Sequence, residues 1–372
     1  MKHQIKNHPK VLHLMGSVEK GGVEVLLLDL FKHYMNSGEQ NNFLLFYKGG
    51  YLQNKFLTYK GVKFLQVKTK IQLLFQLRKF VISNKIDIIH CHSPIHVIYA
   101  FLSTFRLPIK IVLTSHGYSP SIKSLLLLQL AIKWSEKVFF VSSSFKNRLA
   151  NINGIKENVK FKILYNGLDT HKISYLESNA KGLESKLILG MIGNFYNDGR
   201  DQITICKAAK LLKERGLHFK FEFAGGASKE NTYYLDQCIN YIKANDLMDC
   251  VQFLGFQDDA YGLLKKWDVF IYSSNRDTFG IAVVEAMMAG IPVIVNDLDV
   301  FEEISDNGKY ATLYPTKNQE ALAVKIEEYA KNPELFIEKA SKAAVCMREK
   351  FSIERHAERL NSLYIELINI DS

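Results

Sequence analysis

YSSNRDTFGIAVVEAMMAGIPVIVN, residues 272–296, reads as the end of one strand, a loop holding Asp277, a short helix carrying Glu285 and a second strand. Thr278 and Gly280 open the helix, Ala282 to Ala289 favour it, and Gly290 followed by Pro292 closes it. Pro292-Val-Ile-Val295 is short and β-branched, with no polar alternation, as expected of a parallel strand buried on both faces. A loop and helix N-terminus at the carboxyl end of such a strand favour an anion. The carboxylates Asp277 and Glu285 flank that terminus. They are unsuited to phosphate, but they accept hydrogen bonds from the hydroxyls of a sugar or ribose whose phosphates lie on the amides.

The rest of the chain is consistent with a fold built from such units. Its 372 residues suffice for two domains of about 170 to 190 residues each. Hydrophobic content of 47% and charged content of 23% describe an ordinary globular protein. The five cysteines are scattered without a C-x-x-C pair, which argues for reduced thiols and against a disulfide framework or zinc site. The N-terminus is not a convincing signal peptide, and no apolar run reaches the roughly 20 residues of a spanning helix. Residues 1–170 carry 24 Lys and Arg against 8 Asp and Glu, a net of +16, whereas residues 171–372 carry 24 against 30, a net of −6. A basic half joined to a mildly acidic one points to an anionic partner for the first: a membrane surface, a lipid diphosphate or nucleic acid. No nucleic-acid motif accompanies the charge, and a nucleic-acid partner is not expected.

Short apolar strands alternate with longer amphipathic segments, the pattern of a doubly wound parallel sheet. In the first half the strands are Val11–Met15, Asn42–Tyr47, Ile86–His90, Lys110–Thr114, Lys137–Val141 and Lys160–Leu164, with a helix from about Val23 to Met35. His171 to Lys186 is polar and lacks periodicity. The expected division is therefore residues 1–170, a linker at 171–186, a second βα series at 187–350, and a C-terminal helix at 351–372 that packs back on the first domain. Strands of the second series are Leu187–Ile192, Phe219–Ala224, Cys250–Leu254, Asp268–Ile271 and Pro292–Val295. From Gln319 onward the pattern is helical, with starts at Pro333 and Ser352.

Several loops carry candidate chemistry. Gly16, Gly21 and Gly22 follow the first strand, where glycine allows close approach of a ligand or merely a tight turn. Their spacing is not G-x-G-x-x-G, so a nicotinamide dinucleotide is not supported. His90-Cys91-His92 ends a strand. His90 and His92 share one face, but no further ligand cluster is evident and no metal is expected. Gly193 to Arg200 follows the first strand of the second series, where Arg200 is suited to bidentate phosphate contact. Asp297-Leu-Asp299 spells D-x-D but reads as loop. Ser121 to Trp134 is apolar with lysines at its ends, and reads either as a core helix or as one lying in a bilayer interface.

The D-x7-E segment followed by E-A-M-x-A-G-x-P-V-I resembles the E-x7-E signature of the family-4 retaining glycosyltransferases. The glycine loop, the H-x-H strand end, the His116-Gly117 turn, Val141-Ser142, Asn166-Gly-Leu-Asp169 and Leu254-Gly255-Phe256 are similar to further landmarks of that family, in order from Leu12 to about Glu303. The resemblance implies a GT-B fold: two Rossmann-like doubly wound domains facing a central cleft, acceptor on the first and nucleotide-sugar donor on the second. It implies that Glu285 holds the donor ribose. Asp277 and the amides of Phe279, Gly280 and Ile281 hold the sugar, His116 meets the hexose, and Arg200 stabilises the departing diphosphate. Gly193, Asn194, Gly255 and Phe256 line the donor, and Gly16, Gly21 and Gly22 lie near phosphate and acceptor. Two positions depart from the pattern: Asp277 stands where the family has Glu, and neutral Asn194 where it has a cation.

The expected activity is retaining transfer of a sugar from a nucleotide-diphosphate sugar, with a UDP-sugar the expected donor, to a saccharide or lipid-diphosphate-linked saccharide. No metal or cofactor is expected, and the setting is cytoplasmic, peripheral on the inner face of a bacterial plasma membrane during surface-polysaccharide assembly. A nucleotide-sugar epimerase and a non-catalytic partner subunit on the same fold are the alternatives.

Overall fold

Residues 8–117, 121–151, 159–176, 186–196, 199–227 and 231–369 are described by a computed structural model, in which the strands gather into two separate parallel sheets. One unit comprises the chain up to Leu168 together with the stretch from Phe351; the other runs from Asp169 to Lys350.

The first sheet has β1 (Val11–Met15), β2 (Asn42–Phe46), β3 (Val62–Phe64), β4 (Ile88–Cys91), β5 (Lys110–Ser115), β6 (Lys137–Phe140) and β7 (Phe161–Ile163), in the order β3-β2-β1-β4-β5-β6-β7. The central strands β1 and β4 are wholly buried, and their mainly apolar side chains, broken by His13 and His90, fit helices on both faces. The three-residue edge strand β3 is half exposed and too short to show a pattern, so the sequence does not announce it. Strand order reverses between β1 and β4. The carboxyl ends of these two strands, bearing the Gly16 loop and His92, form the switch point where ligands bind in open α/β sheets.

The C-terminal helix Ile353–Asn369 completes this unit. Ile353, Ala357, Leu360, Tyr364 and Leu367 recur at helical spacing and join the core formed with Leu26, Leu27, Leu30, Phe31 and Tyr34 of helix Gly22–Asn36. Two backbone bonds lock the junction: Leu168 N–H to Phe351 O and Ile353 N–H to Leu168 O, both 2.9 Å. Gly167 is required there by proximity, since a Cβ would lie 2.5 Å from the Cβ of His356.

The second sheet has β8 (Leu187–Ile192), β9 (Phe219–Ala224), β10 (Val251–Gly255), β11 (Val269–Tyr272), β12 (Val293–Asn296) and β13 (Thr312–Tyr314), ordered β10-β9-β8-β11-β12-β13. Its switch point lies between β8 and β11. The edge strand β13, like β3, escapes the sequence pattern. Of the stretch read as a linker, residues 177–185 lie outside the described residues. Its beginning is anchored to the second unit: Leu176 N–H donates to Ala289 O at 2.9 Å, and the Arg348 guanidinium donates to the carbonyls of Thr170, Ile173 and Met288.

Candidate active site

At the switch point of the second unit, the chain after β8 is stitched to the chain after β11. Arg200 and Ser274 form an antiparallel bridge, Asp201 N–H donates to Ser273 O at 3.1 Å, and Asn275 N–H donates to Gly199 O at 3.1 Å. Asn296, at the end of β12, clasps Ser274 by accepting from its N–H at 3.0 Å and donating to its carbonyl at 2.8 Å. This scaffold carries Arg200 to the mouth of the helix Ile281–Ala289. Its guanidinium lies 3.1 Å from Asp277 Oδ2, donates to Ser274 Oγ at 3.3 Å and sits 5.3 Å from the centre of the Tyr272 ring. Arg200 is therefore a fixed cation and not a solvated loop residue.

Asp277 is equally fixed. Its Oδ1 accepts from the amides of Thr278, Phe279 and Gly280 at 2.8, 3.2 and 3.0 Å, and Tyr272 donates its hydroxyl to Oδ2 at 3.1 Å. The carboxylate thus caps the approach to the helix and serves as the counterion of Arg200. Two of the three amides assigned to a sugar, those of Phe279 and Gly280, are engaged by Asp277 itself; Ile281 opens the helix behind them. Gly280 has φ +81°, and a Cβ there would lie 2.7 Å from Phe301 Cε1, so a side chain is excluded twice over. One turn further on, Glu285 Oε1 accepts a hydrogen bond from Tyr261 at 2.9 Å. Tyr261 belongs to the short helix Ala260–Leu264, and nothing in its surrounding sequence marks it as a partner of Glu285.

Gly193 and Asn194 hold two loops together. Gly193 N–H donates to Ala224 O at 2.8 Å, and Asn194 Oδ1 accepts from Gly226 N–H at 3.0 Å. A Cβ on Gly225 would fall 2.1 Å from Gly193 O, so the two turns touch through backbone alone. Where the family pattern has the first cation of its pair, Asn194 supplies a neutral brace. Gly255, at φ +67°, turns the chain at the end of β10, and Phe256 beyond it is 52% exposed and outside the core. Asp297 accepts from Thr316 N–H at 2.7 Å and Asp299 from Val300 N–H at 2.9 Å, so the D-x-D pair shapes its loop.

In the first unit, Gly16 O accepts from the amides of Tyr47 and Lys48 at 3.2 and 2.7 Å. Gly21 is the N-cap of helix Gly22–Asn36, whose first residue is Gly22. The expectation that no further ligand accompanies His90 and His92 is overturned. His13 on β1 stands in register with His90 on β4, and the ligand atoms of His13, His90 and His92 lie within 4.8 Å of one another. His13 and His90 lie 77 positions apart in the chain, so only the pairing of their strands reveals the cluster. His90 is committed to other partners: Nδ1 to the Tyr364 hydroxyl and Nε2 to Thr114 Oγ1 at 2.6 Å. His13 Nδ1 meets His92 Nε2 at 3.1 Å, and His92 Nδ1 meets His116 Nε2 at 3.2 Å. Burial, with a smaller contribution from His356, lowers His13 and His116 to about 3; burial also holds His90 and His92 well below the usual imidazole value. The imidazoles are neutral at physiological pH.

Helix Ile122–Trp134 has one buried and one exposed apolar face. Leu128 and Ala131 are buried, while Ile122, Leu126 and Leu130 on another face are 77, 55 and 43% exposed.

Two family models match the chain: Glycosyltransferase Family 4 at residues 20–172 and Glycosyl transferases group 1 at residues 176–344. An O-antigen biosynthesis glycosyltransferase, WclY, of Escherichia coli is 24% identical over 96% of this chain and 98% of its own length. The N-acetyl-alpha-D-glucosaminyl L-malate synthase of Bacillus anthracis is 26% identical over 77% of each chain. Among solved structures, Anabaena Alr3699/HepE in complex with UDP and glucose superposes with a TM-score of 0.80 at 19% identity, covering 96% of this chain and 99% of that one. With both halves of the pattern matched in order on the architecture described above, the chain belongs to the family-4, group 1 glycosyltransferases of the GT-B fold.

Proposed function

We propose that the chain is a retaining, metal-independent glycosyltransferase that takes a sugar from a UDP-sugar and passes it to a saccharide or lipid-diphosphate-linked saccharide in bacterial surface-polysaccharide assembly. The observation that carries this reading is the Arg200–Asp277 pair at the mouth of helix Ile281–Ala289, with Glu285 one turn inside. A guanidinium held at 3.1 Å by its counterion and backed by an aromatic face is preorganised for the charge that grows on a leaving diphosphate. Glu285, steadied by Tyr261, suits the paired hydroxyls of a ribose. Gly193, Asn194, Gly255 and Phe256 complete the donor side. On the first unit, the loop of Gly16, Gly21 and Gly22 is assigned to the acceptor and its phosphate, and His116 to the hexose. Retention proceeds by front-side attack, with the departing phosphate oxygen taking the proton of the acceptor hydroxyl. The UDP and UDP-glucose complexes of Alr3699/HepE and the O-antigen role of WclY support the choice of donor and setting.

The first unit also suits the inner face of a membrane. Residues 70–134 carry eight Lys and Arg against a single acid, Asp87. Ile71 and Phe75 of helix Lys70–Asn84 and Phe105 beyond helix Pro94–Ser103 add 68, 71 and 58% exposed apolar side chains to those of Ile122–Trp134, and the three helices pack side by side. Apolar tips among lysines suit the headgroup boundary of an anionic bilayer. No helix among the described residues is long and apolar enough to cross a membrane.

Calorimetric titration with UDP-, GDP- and ADP-sugars, followed by product analysis with lipid-linked and free saccharides, tests the assignment. The expected result is UDP-sugar binding and a product with the donor's anomeric configuration, both lost in Glu285→Ala. Unchanged transfer by pure Glu285→Ala would favour a non-catalytic partner of the same fold, and release of an epimerised nucleotide sugar would favour an epimerase.

A further inference from the structure

We propose that His13 and His92 act as positioning residues that fix the tautomer of His116, leaving its proton on Nδ1. The three rings form one chain through nitrogen–nitrogen contacts of 3.1 and 3.2 Å. Each contact needs one N–H and one lone pair, and a neutral imidazole has one of each. The chain therefore has only two polarities. In one, every ring donates towards His13, whose Nε2 must then carry a hydrogen. That atom is buried and has no hydrogen-bond partner among the described residues, so this polarity strands a donor in the core. In the other, His13 donates from Nδ1 to His92, His92 donates from Nδ1 to His116 Nε2, and only a lone pair is left without a partner. Orphaned donors are the rarer and costlier case, so the second polarity is favoured.

The remaining contacts hold this arrangement in place. His90 stacks on His92 with ring centres 4.4 Å apart, and its own nitrogens are committed to Tyr364 and Thr114. It therefore steadies the middle ring without taking a place in the chain. A divalent cation among these nitrogens would break the His90 bonds. With the tautomer fixed, whatever oxygen meets His116 at Nδ1 meets a donor and not a base. This deepens, and for its catalytic meaning rests on, the assignment of His116 to the hexose in the reading above.

The test is the long-range proton–nitrogen spectrum of full-length protein labelled at histidine, recorded without substrate at pH 7.5. That spectrum can be read whether or not the chain proves to be a transferase, so the two claims fail separately. The expected wild-type pattern for His116 is Nδ1–H. His92→Phe, which keeps a ring but removes both contacts, should shift His116 towards the Nε2–H form that dominates in water. His92→Asn, whose amide nitrogen stands in for Nδ1, should restore the wild-type pattern. An Nε2–H His116 in the wild type overturns the proposal, as does an unchanged pattern in folded His92→Phe. Stoichiometric zinc retained by the wild type and lost in His13→Phe overturns it as well. Should His92→Phe fail to fold, the wild-type tautomer alone decides.

Discussion

Removing the carboxylate of Asp277 should damage the second unit more than removing the cation it faces. Asp277 is 9% exposed and accepts three amides, one hydroxyl and the Arg200 guanidinium, whereas Arg200 is 31% exposed. In Asp277→Ala the helix approach loses its cap, worth about 0.5–2 kcal/mol. Arg200 is left without its counterion, at roughly 1–2 kcal/mol after discounting a fully buried pair for solvent screening. Together these give a loss of about 1.5–4 kcal/mol. In Arg200→Ala the aspartate keeps its other four donors, and the cost should be about 1 kcal/mol. The chain has two tryptophans, Trp134 in the first unit and Trp267 in the second. Urea unfolding followed by fluorescence in a Trp134→Phe background therefore reports the second unit alone. UDP titration should separate the pair in the opposite sense: Arg200→Ala, though nearly as stable as the parent, should lose at least tenfold in affinity. Equal stability losses for the two substitutions, or wild-type UDP affinity in Arg200→Ala, would refute the reasoning.

Three further outcomes are expected. Gly190→Ala should cost about 3 kcal/mol or more by overpacking, because the new Cβ would lie 2.0 Å from Trp267 Cδ2, in a ring already tied to Glu222 by a 2.9 Å bond; a urea midpoint like the wild type's would contradict this. In the first unit, burial first of all holds His13 and His116 at about 3 and His96 and His356 at about 4. The unfolded chain takes up protons below about 6.5 and the folded chain does not, so stability is full above that pH. It should fall by about 1.4 kcal/mol per histidine for each unit below it, down to the folded values. A Trp134-reported midpoint that stays flat from pH 7.5 to 5 would exclude neutral buried imidazoles. Ile122→Asp with Leu126→Asp should lower partition onto anionic vesicles at least tenfold, since each buried apolar side chain contributes about 1.5–3 kcal/mol; equal partition of the wild type onto neutral and anionic vesicles would remove the membrane from the account.

How much was legible in advance depended on whether the signal was local. Leu187–Ile192 is an apolar run, and Phe219–Ala224 sets Phe219, Phe221 and Phe223 at period two between Lys220 and Glu222; each pattern marks its strand to the residue. The helix Ile281–Ala289 is bounded by two glycines whose positive φ the sequence advertises. Edge strands Val62–Phe64 and Thr312–Tyr314 pair on one side only, and three residues hold no readable period. The candidate site shows the same divide. Arg200, Asp277 and Glu285 stand out by residue type near strand ends, but the inward turn of Asp277 onto the amides of its own loop depends on backbone geometry. Tyr261 and His13 were missed because each meets its partner through the packing of elements distant in the chain. Asn194, expected to line the donor as a neutral residue where the family has a cation, braces two turns through Gly226 N–H.

The closing of the first unit by Ile353–Asn369 bears on how the molecule is made. As the polypeptide leaves the ribosome, Leu26, Leu30 and Phe31 emerge more than three hundred residues ahead of the side chains that will cover them. The second unit, drawn from one continuous stretch, can reach its final state while the earlier one still exposes an oily flank. Synthesis thus reverses the usual order of maturation, and a nascent chain halted before Leu360 should be a substrate for chaperones.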